Sequence, residues 1–246
     1  MRQLLLSCDN VAHGTFVKTD SPQIIELLGT TRLDFAVIDA EHAPFDRVTL
    51  DRMLLAGRAA DLPLLVRVPD SEAATIQSVL DMGAAGILVP QVDSADQARL
   101  LVSRAKFRGG SRGFSISPRA AGYGASPRAD VLRRGDATRV LCQIESVSAL
   151  EQVDAIAAVA GVDALFIGRA DLALSMGLDD PRAPAVAAAV VRIATAARKA
   201  GKVCGMHVAD ADEARRFTEL GITWFVISSD QGLLQKAAQA IARGAL

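Results

Sequence analysis

Eight short apolar runs alternate with eight helical patterns along the 246-residue chain. The runs predict strands at 14–17, 35–38, 64–68, 86–89, 140–144, 164–167, 203–206 and 224–227. The patterns between them predict helices at 22–28, 47–60, 72–82, 95–106, 148–158, 185–200, 212–220 and 232–242. Continuous apolar runs are typical of parallel strands that are buried on both faces. Eight such β/α units predict a (β/α)8 TIM barrel.

The length and composition favour one domain that spans residues 1–246, because half of the residues are hydrophobic and barrels of this size commonly form a single core. The net charge of −1 gives no basis for expecting nucleic-acid or membrane binding. The apolar opening at 1–6 is too short for a signal-peptide core, and no run reaches transmembrane length.

Cysteine usage favours a reducing compartment. Cys8, Cys142 and Cys204 form no CxxC motif, and two of them lie in strand-like runs. We therefore interpret them as small buried hydrophobes rather than as redox or zinc ligands. A cytoplasmic protein is expected.

One segment departs from the regular alternation. Residues 108–139 are rich in Gly, Pro, Ser and Arg, and they separate the fourth helix from the fifth strand. A loop of this length in a compact barrel usually has a function or forms an oligomer contact.

Two carboxylates stand where neighbouring strands end. Glu145 follows the fifth predicted strand, and Asp171 lies shortly after the sixth. Since parallel strands of a barrel end on one face, both acids are expected at the carboxyl end, where barrel enzymes bind substrates. Two hard oxygen donors with open positions suit Mg²⁺ or Mn²⁺. The alternative is a pair of solvated acids beside helix N-termini.

The third strand brings a guanidinium to the same end. Arg67 can hold a carboxylate or enolate oxygen in a fixed fork. Alternatively, it forms an ion pair with Asp39, Glu41 or Glu145. His42 follows the second strand beside two acids, so it is a candidate for proton transfer near neutral pH, or else a surface loop histidine.

The residues after the sixth strand, Gly168 to Asp171, lead into a helical turn whose small side chains let backbone N–H groups approach an anion. A substrate carboxylate would fit there. Lys18 alone among the five lysines lies just past a strand, so a Schiff-base mechanism has one poor candidate. His207 follows the seventh predicted strand and either reaches the barrel mouth or caps the strand.

Together these segments resemble the HpcH/HpaI aldolase family, which contains metal-dependent pyruvate aldolases of the 4-hydroxy-2-oxoheptanedioate and 2-dehydro-3-deoxyglucarate aldolase type. The resemblance covers about residues 14–234. It rests on DFAVIDAEHAP at 34–44, VR at 66–67, LDMGA at 80–84, RGF at 112–114, QIE at 143–145 and GVDALFIGRADL at 161–172.

The resemblance implies a phosphoenolpyruvate/pyruvate-binding type of barrel and a role for each matching residue. Glu145 and Asp171 would hold a divalent cation, either Mg²⁺, Mn²⁺ or Co²⁺. Gln143 and Arg67 would contact the substrate oxygens, and the backbone at Gly168, Ala170 and Asp171 would bind its carboxylate. A separate set would transfer protons, namely His42 oriented by Asp81, with Asp39 nearby. The resemblance also implies a homo-hexamer, a trimer of dimers that exchange the last helix.

Three positions depart from the family pattern. Ala40 stands where the family usually has Gly, and His207 stands where its aldolases often have an aliphatic residue. The loop at 112–124 also differs and contains Arg119 and Tyr123. Such positions would shape the aldehyde end of the pocket, so the sequence does not predict which aldehyde is the substrate.

The sequence thus predicts a class II aldolase that reversibly cleaves a 4-hydroxy-2-oxo acid to pyruvate and an aldehyde through a metal-stabilised enolate. Its partners would be these small molecules. One alternative is an acyl-CoA lyase similar to the citrate lyase β subunit, in which Arg108, Arg112 and Arg119 would bind the CoA phosphates. Another is a metal-binding barrel without natural aldol activity.

Overall fold

The computed structural model of the protein describes residues 4–244 and contains eight parallel strands that close into a barrel in chain order. The strands are β1 Ala12–Val17, β2 Phe35–Asp39, β3 Leu64–Arg67, β4 Gly86–Val89, β5 Arg139–Ile144, β6 Ala164–Ile167, β7 Val203–Val208 and β8 Trp224–Ser229. The predicted (β/α)8 fold is confirmed. The open end at which the strands finish is called the mouth below.

The helices surround the barrel. They are α1 Pro22–Gly29, α2 Arg47–Ala59, α3 Ala73–Asp81, α4 Ala95–Ala105, α5 Arg128–Asp136, α6 Val147–Glu151, α7 Val153–Ala157, α8 Arg169–Ser175, α9 Pro184–Lys199, α10 Ala211–Thr218 and α11 Asp230–Ala242. Among residues 4–244, no helix is both long and apolar enough to cross a membrane.

Two predicted segments differ from the structure. The helix predicted at 148–158 is two short helices, because Gln152 ends α6 and directly precedes α7; Ser146 caps the start of α6 at Ala149 N (2.9 Å). The segment at 108–139 is partly helical: it holds a 3₁₀ turn at Arg119–Ala121 and α5. The glycines of this segment made the helix difficult to predict from the sequence. Gly135 is where α5 packs on Phe107, because an added Cβ at this position would lie 2.2 Å from that ring.

Side chains that alternate along the strands form two apolar layers. One set fills the barrel and the other packs under the helices. Inside, Trp224 stacks on Phe35 at 3.9 Å between ring centroids and meets Phe166 edge-on. Each such buried side chain contributes about 1.5–3 kcal/mol. This apolar interior extends upward to Phe16, directly below the mouth.

The two strand cysteines behave as predicted. Cys142 and Cys204 are buried in the outer layer, and burial raises the pKa of each thiol to about 12. A neutral thiol of this kind packs as a small hydrophobe and is a poor nucleophile.

Candidate active site

A buried ion pair joins the ends of β2 and β3. Strand register sets Asp39 beside Arg67. Nε and Nη2 of Arg67 donate to Oδ1 and Oδ2 of Asp39 at 2.9 and 2.7 Å, in a bidentate fork. The carboxylate is fully buried. The ion-pair alternative for Arg67 is thus confirmed, and the pair fixes the guanidinium at the mouth.

Two more charges join this pair. Nζ of Lys18, at the end of β1, lies 3.1 Å from Oδ2 of Asp39. Oε2 of Glu41 lies 3.2 Å from Nη1 of Arg67, but no hydrogen bond among the described residues reaches this buried oxygen. Burial alone would raise the pKa of Asp39, but the hydrogen bonds and positive charges of Arg67 and Lys18 lower it by more. The pKa of Asp39 therefore lies below its usual value. Asp39 is therefore a permanent anion at neutral pH.

The ring of Phe16 lies beneath these groups. The guanidinium of Arg67 is 4.6 Å from its centroid, and Nζ of Lys18 is 5.9 Å away. The His207 ring lies 5.7 Å from the same ring. Cations are attracted to aromatic faces, so Phe16 stabilises the charged layer above the apolar interior.

A second group of polar side chains surrounds Glu145. The register of β5 with β6 places Glu145 beside Gly168. Oε1 of Glu145 accepts a hydrogen bond from Gln91 N at 2.7 Å, and Oε2 accepts one from the Gln143 amide. A Cβ at Gly168 would lie 2.7 Å from Oε2 of Glu145, so only glycine leaves this carboxylate in place.

Electrostatics show that the carboxylates converge. Burial raises the pKa of Glu145, the hydrogen bonds from Gln143 and Gln91 lower it, and the charges of Asp171 and Glu41 raise it further. Burial likewise raises the pKa of Glu41, and the negative charges of Asp39 and Asp171 raise it further. The positive charges of Arg67 and His42 lower it by less than this combined increase. Acids that repel one another at one end of a barrel favour a cation between them.

Asp171 lies in the first turn of α8 and is exposed to the mouth. The first hydrogen bond of α8 runs from Leu172 N to Gly168 O, at 3.0 Å. The N–H groups of Ala170 and Asp171 precede this ladder and can therefore receive an anion.

The residues around Glu145 fit a divalent cation. Glu145 and Asp171 supply hard oxygen donors, and Gly168, which has no side chain, lets Oε2 of Glu145 lie against it. Oε1 of Gln143 is buried without a partner among the described residues, so it is a further acceptor in the same place. Within residues 4–244, no group of three or more His, Cys, Asp or Glu side chains could hold a metal.

Among residues 4–244, no hydrogen bond or ion pair joins His42 to Asp81. The His42 side chain is half-exposed, with Nε2 3.7 Å from Oε2 of Glu41, and its backbone N–H donates to Oδ1 of Asp39 at 3.3 Å. Asp81 instead accepts a hydrogen bond from Nη2 of Arg112 at 2.8 Å. The orientation of His42 by Asp81 stays a prediction.

Sequence reasoning missed two members of the site. Lys18 was considered only for a Schiff base, and Glu41 was considered only as a partner of its neighbours. Both lie within one or two residues of a strand end, which was the available signal.

Another feature lies outside the ring of strand ends: a cavity of about 370 Å³ beside α9 and α10, where Arg169 pairs with Glu213 at 2.8 Å.

The arginines considered for CoA do not form one basic surface. Arg112 is buried against Asp81 and the ring of Phe107. Arg119 pairs with Asp51 at 2.8 Å and is also mostly buried. Arg108 alone of the three extends to solvent. Within residues 4–244, these three arginines therefore do not form the basic surface that the acyl-CoA lyase alternative predicts.

Comparisons with known proteins agree with this geometry. The sequence profile of the HpcH/HpaI aldolase/citrate lyase family matches residues 13–237. A 5-keto-4-deoxy-D-glucarate aldolase from Klebsiella pneumoniae subsp. pneumoniae is 36% identical over 239 residues, which cover 96% of this chain and 93% of the relative. Two solved structures are also similar. A HpcH/HpaI aldolase/citrate lyase family protein from Burkholderia cenocepacia J2315 has a TM-score of 0.91 and 34% identity, covering 96% of this chain and 95% of its own. The citrate synthase SbnG has a TM-score of 0.87 and 27% identity, covering 96% and 93%.

Replacing Asp39 tests the ion pair at the mouth. Asp39→Asn removes the fully buried carboxylate partner of Arg67 and leaves only the weaker contact with Glu41 among the described residues, so we expect the free energy of unfolding at pH 7 to fall by about 3–5 kcal/mol in urea denaturation. Because the pKa of Asp39 is depressed in the folded state, its contribution is complete above the unfolded pKa near 3.8 and is lost as the pH falls through the folded value. The difference between variant and wild type should therefore shrink below about pH 4.

The matched control is Asp212→Asn, at an exposed i,i+3 pair with Arg215. This change should cost less than about 1 kcal/mol. Equal losses in the two variants would contradict the buried pair's role.

Proposed function

The chain belongs to the HpcH/HpaI aldolase/citrate lyase family, and on this premise we propose that it is a divalent-metal-dependent aldolase that reversibly cleaves a 4-hydroxy-2-oxo acid to pyruvate and an aldehyde. The resemblance drawn from the sequence is confirmed by the family match and by relatives of similar length. The Klebsiella relative is named for 5-keto-4-deoxy-D-glucarate. This compound is therefore the first substrate to assay.

One observation carries the proposal. Glu145 and Gln143 lie against Gly168, and the buried Oε1 of Gln143 has no protein partner among the described residues. Across the mouth, Arg67 is held in a fixed orientation by Asp39. Carboxylate and amide oxygens on one side of the mouth and a fixed cation on the other suit a cation together with an anionic substrate.

A divalent cation held by Glu145 and Asp171 would supply Lewis-acid stabilisation of negative charge on the substrate oxygens. Around it, the N–H groups of Ala170 and Asp171 would bind the substrate carboxylate. Arg67 would stabilise the charge that develops on the 2-oxo oxygen, and its fork with Asp39 keeps it in place beforehand. The Gln143 amide would help to orient the 2-oxo group.

The reaction moves one electron pair and involves two proton transfers, one from the 4-hydroxyl and one to C3. A base removes the proton of the 4-hydroxyl, the C3–C4 bond breaks, the aldehyde carbonyl forms, and the bonding electrons remain on the pyruvate enolate. Protonation of C3 then gives pyruvate. We propose that His42 takes part in the first transfer through water, because it is half-exposed at the mouth beside Glu41. Asp39 lies below it and would hold the loop through the His42 backbone N–H.

Metal removal tests this function. We expect retro-aldol turnover, followed as pyruvate release, to cease in EDTA and to return with Mg²⁺, Mn²⁺ or Co²⁺. Glu145→Gln should lower kcat at least about 100-fold because it removes one of two anionic ligands.

The matched control for this variant is Glu26→Gln on the outside of α1, which should retain wild-type turnover. Full activity in EDTA would rule out the proposal. If circular dichroism shows that Glu145→Gln is unfolded, metal titration of the wild-type enzyme alone provides the test.

We also propose that the protein is a homo-hexamer, a trimer of dimers in which subunits exchange α11. Asp230 is the buried residue of this helix, while Leu234 and Ile241 are 71% and 63% exposed. An amphipathic helix that leaves its apolar side chains in water is typical of a segment that packs on another subunit.

Light scattering with size-exclusion chromatography tests the assembly. Leu234→Glu should lower the mass from that of a hexamer to that of smaller species, because a charge would be buried at the contact. Gln235→Glu is the matched control on the same helix and should assemble as the wild type. A monomeric wild-type protein would contradict helix exchange.

A further inference from the structure

The turn that carries Asp171 depends on contacts outside its own helix. It forms the start of α8, a helix of seven residues, and Gly168 at the N-cap has no side chain with which to bind the first free N–H groups. Helices this short are not stable by themselves in water, so their position depends on the rest of the fold. At the start of α8 the contacts are made by Arg169.

Arg169 reaches from this turn to α10. Its Nη2 donates to Oε1 of Glu213 at 2.8 Å, and its guanidinium lies 5.0 Å from the centroid of the Phe217 ring. The Arg169 side chain is 17% exposed and that of Glu213 is 11% exposed. Both members of the pair are thus largely removed from water, where opposite charges attract more strongly than at the surface.

Glu213 is itself bound at both carboxylate oxygens. While Oε1 accepts from Arg169, Oε2 accepts from the backbone N–H of Ala209 at 2.7 Å, directly after β7. The Glu213 N–H donates in turn to Oδ1 of Asp210, the N-cap of α10, at 2.9 Å. Burial alone would raise the pKa of Glu213, but the hydrogen bonds from Ala209 and Arg169 and nearby positive charge lower it by more. The pair therefore ties the start of α8 to the end of a neighbouring strand.

The position of Arg169 in the chain connects this pair to the residues proposed to bind metal. Arg169 follows Gly168, where an added Cβ would lie 2.7 Å from Oε2 of Glu145. It precedes Ala170 and Asp171 in the same turn, and the charge of Asp171 acts on Glu145. A movement of Arg169 would therefore change how Asp171 lies relative to Glu145.

We propose that Arg169 and Glu213 are positioning residues, which hold the first turn of α8 where Asp171 binds a cation jointly with the carboxylate after β5. In this role, which rests on the metal site of the proposed function, neither side chain touches the cation or the substrate. Both act through the backbone of the turn. Groups that orient a metal ligand in this way commonly affect metal affinity as well as activity.

Affinity for Mn²⁺ tests this role without turnover. Electron paramagnetic resonance measures free Mn²⁺ during titration of the protein in the absence of substrate. Arg169→Met keeps most of the length of the side chain and removes the guanidinium. Glu213→Gln keeps an acceptor for the Ala209 N–H and removes the charge. Each variant should bind Mn²⁺ about tenfold more weakly than the wild type, as expected when a group that orients a metal ligand is lost.

The direction of the two effects separates positioning from simple electrostatics. Removal of a positive charge near the cation would by itself strengthen Mn²⁺ binding in Arg169→Met, whereas removal of a negative charge would weaken it in Glu213→Gln. Positioning predicts weaker binding in both variants. The double variant should bind Mn²⁺ within about threefold of either single variant, because the two side chains act as one unit.

The matched control is Arg215→Met on α10, where Arg215 forms an exposed pair with Asp212. It removes the same charge at the surface and should keep the wild-type affinity within about twofold. Arg169→Lys retains the charge and a donor but loses the planar fork, so it should bind Mn²⁺ more weakly than the wild type and more tightly than Arg169→Met. Arg169→Lys and Glu213→Gln provide the measurement if Arg169→Met fails to fold.

The outcomes distinguish the positioning role from the function on which it rests. Mn²⁺ binding by the wild type with unchanged affinity in Arg169→Met and Glu213→Gln would overturn the positioning role and leave the metal site intact. Tighter binding in Arg169→Met would overturn it as well. Absence of Mn²⁺ binding by the wild-type protein would remove the metal site of the proposed function and the positioning role together.

Discussion

The buried fork between Arg67 and Asp39 is the contact on which the mouth of this barrel depends. Below it, the interior is apolar from Trp224 to Phe16, and above it the strand ends carry charges. A single buried charge at this level would be strongly destabilising, but a bidentate pair with Lys18 and Glu41 alongside is tolerated. The fork therefore closes the core and presents an oriented cation to the substrate side.

The two ends of the site differ in electrostatic character. At β2 and β3, cations hold the pKa of Asp39 low, so the pair is complete without a ligand. At β5 and β6, burial and neighbouring acids raise the pKa of Glu145, and Gln143 keeps an unpaired oxygen. The Arg67–Asp39 pair is satisfied by the protein itself, whereas Glu145 would be stabilised by added positive charge. This asymmetry explains why an anionic substrate and a cation would bind together.

Much of this arrangement could be predicted from the sequence, because it follows from strand ends. Glu145 and Gly168 lie side by side since both follow neighbouring parallel strands, and apolar runs locate those strands well. Side-chain partners could not be predicted in the same way. Arg112 was proposed for a ligand but is buried against Asp81, and Lys18 belongs to the Asp39 cluster. Such contacts depend on the packing of loops, for which the sequence shows no periodicity.

The central claim is that a cation at Glu145 and Asp171 stabilises the enolate of pyruvate at this mouth. Exchange of the pyruvate methyl protons with deuterium, followed by ¹H NMR without any aldehyde, tests it directly, because exchange requires enolate formation alone. The account predicts that the protein loaded with Mg²⁺ and free of Mn²⁺ exchanges the methyl protons. In EDTA it predicts no exchange above background. Equal exchange with and without the divalent cation, or no exchange in its presence, would contradict the account.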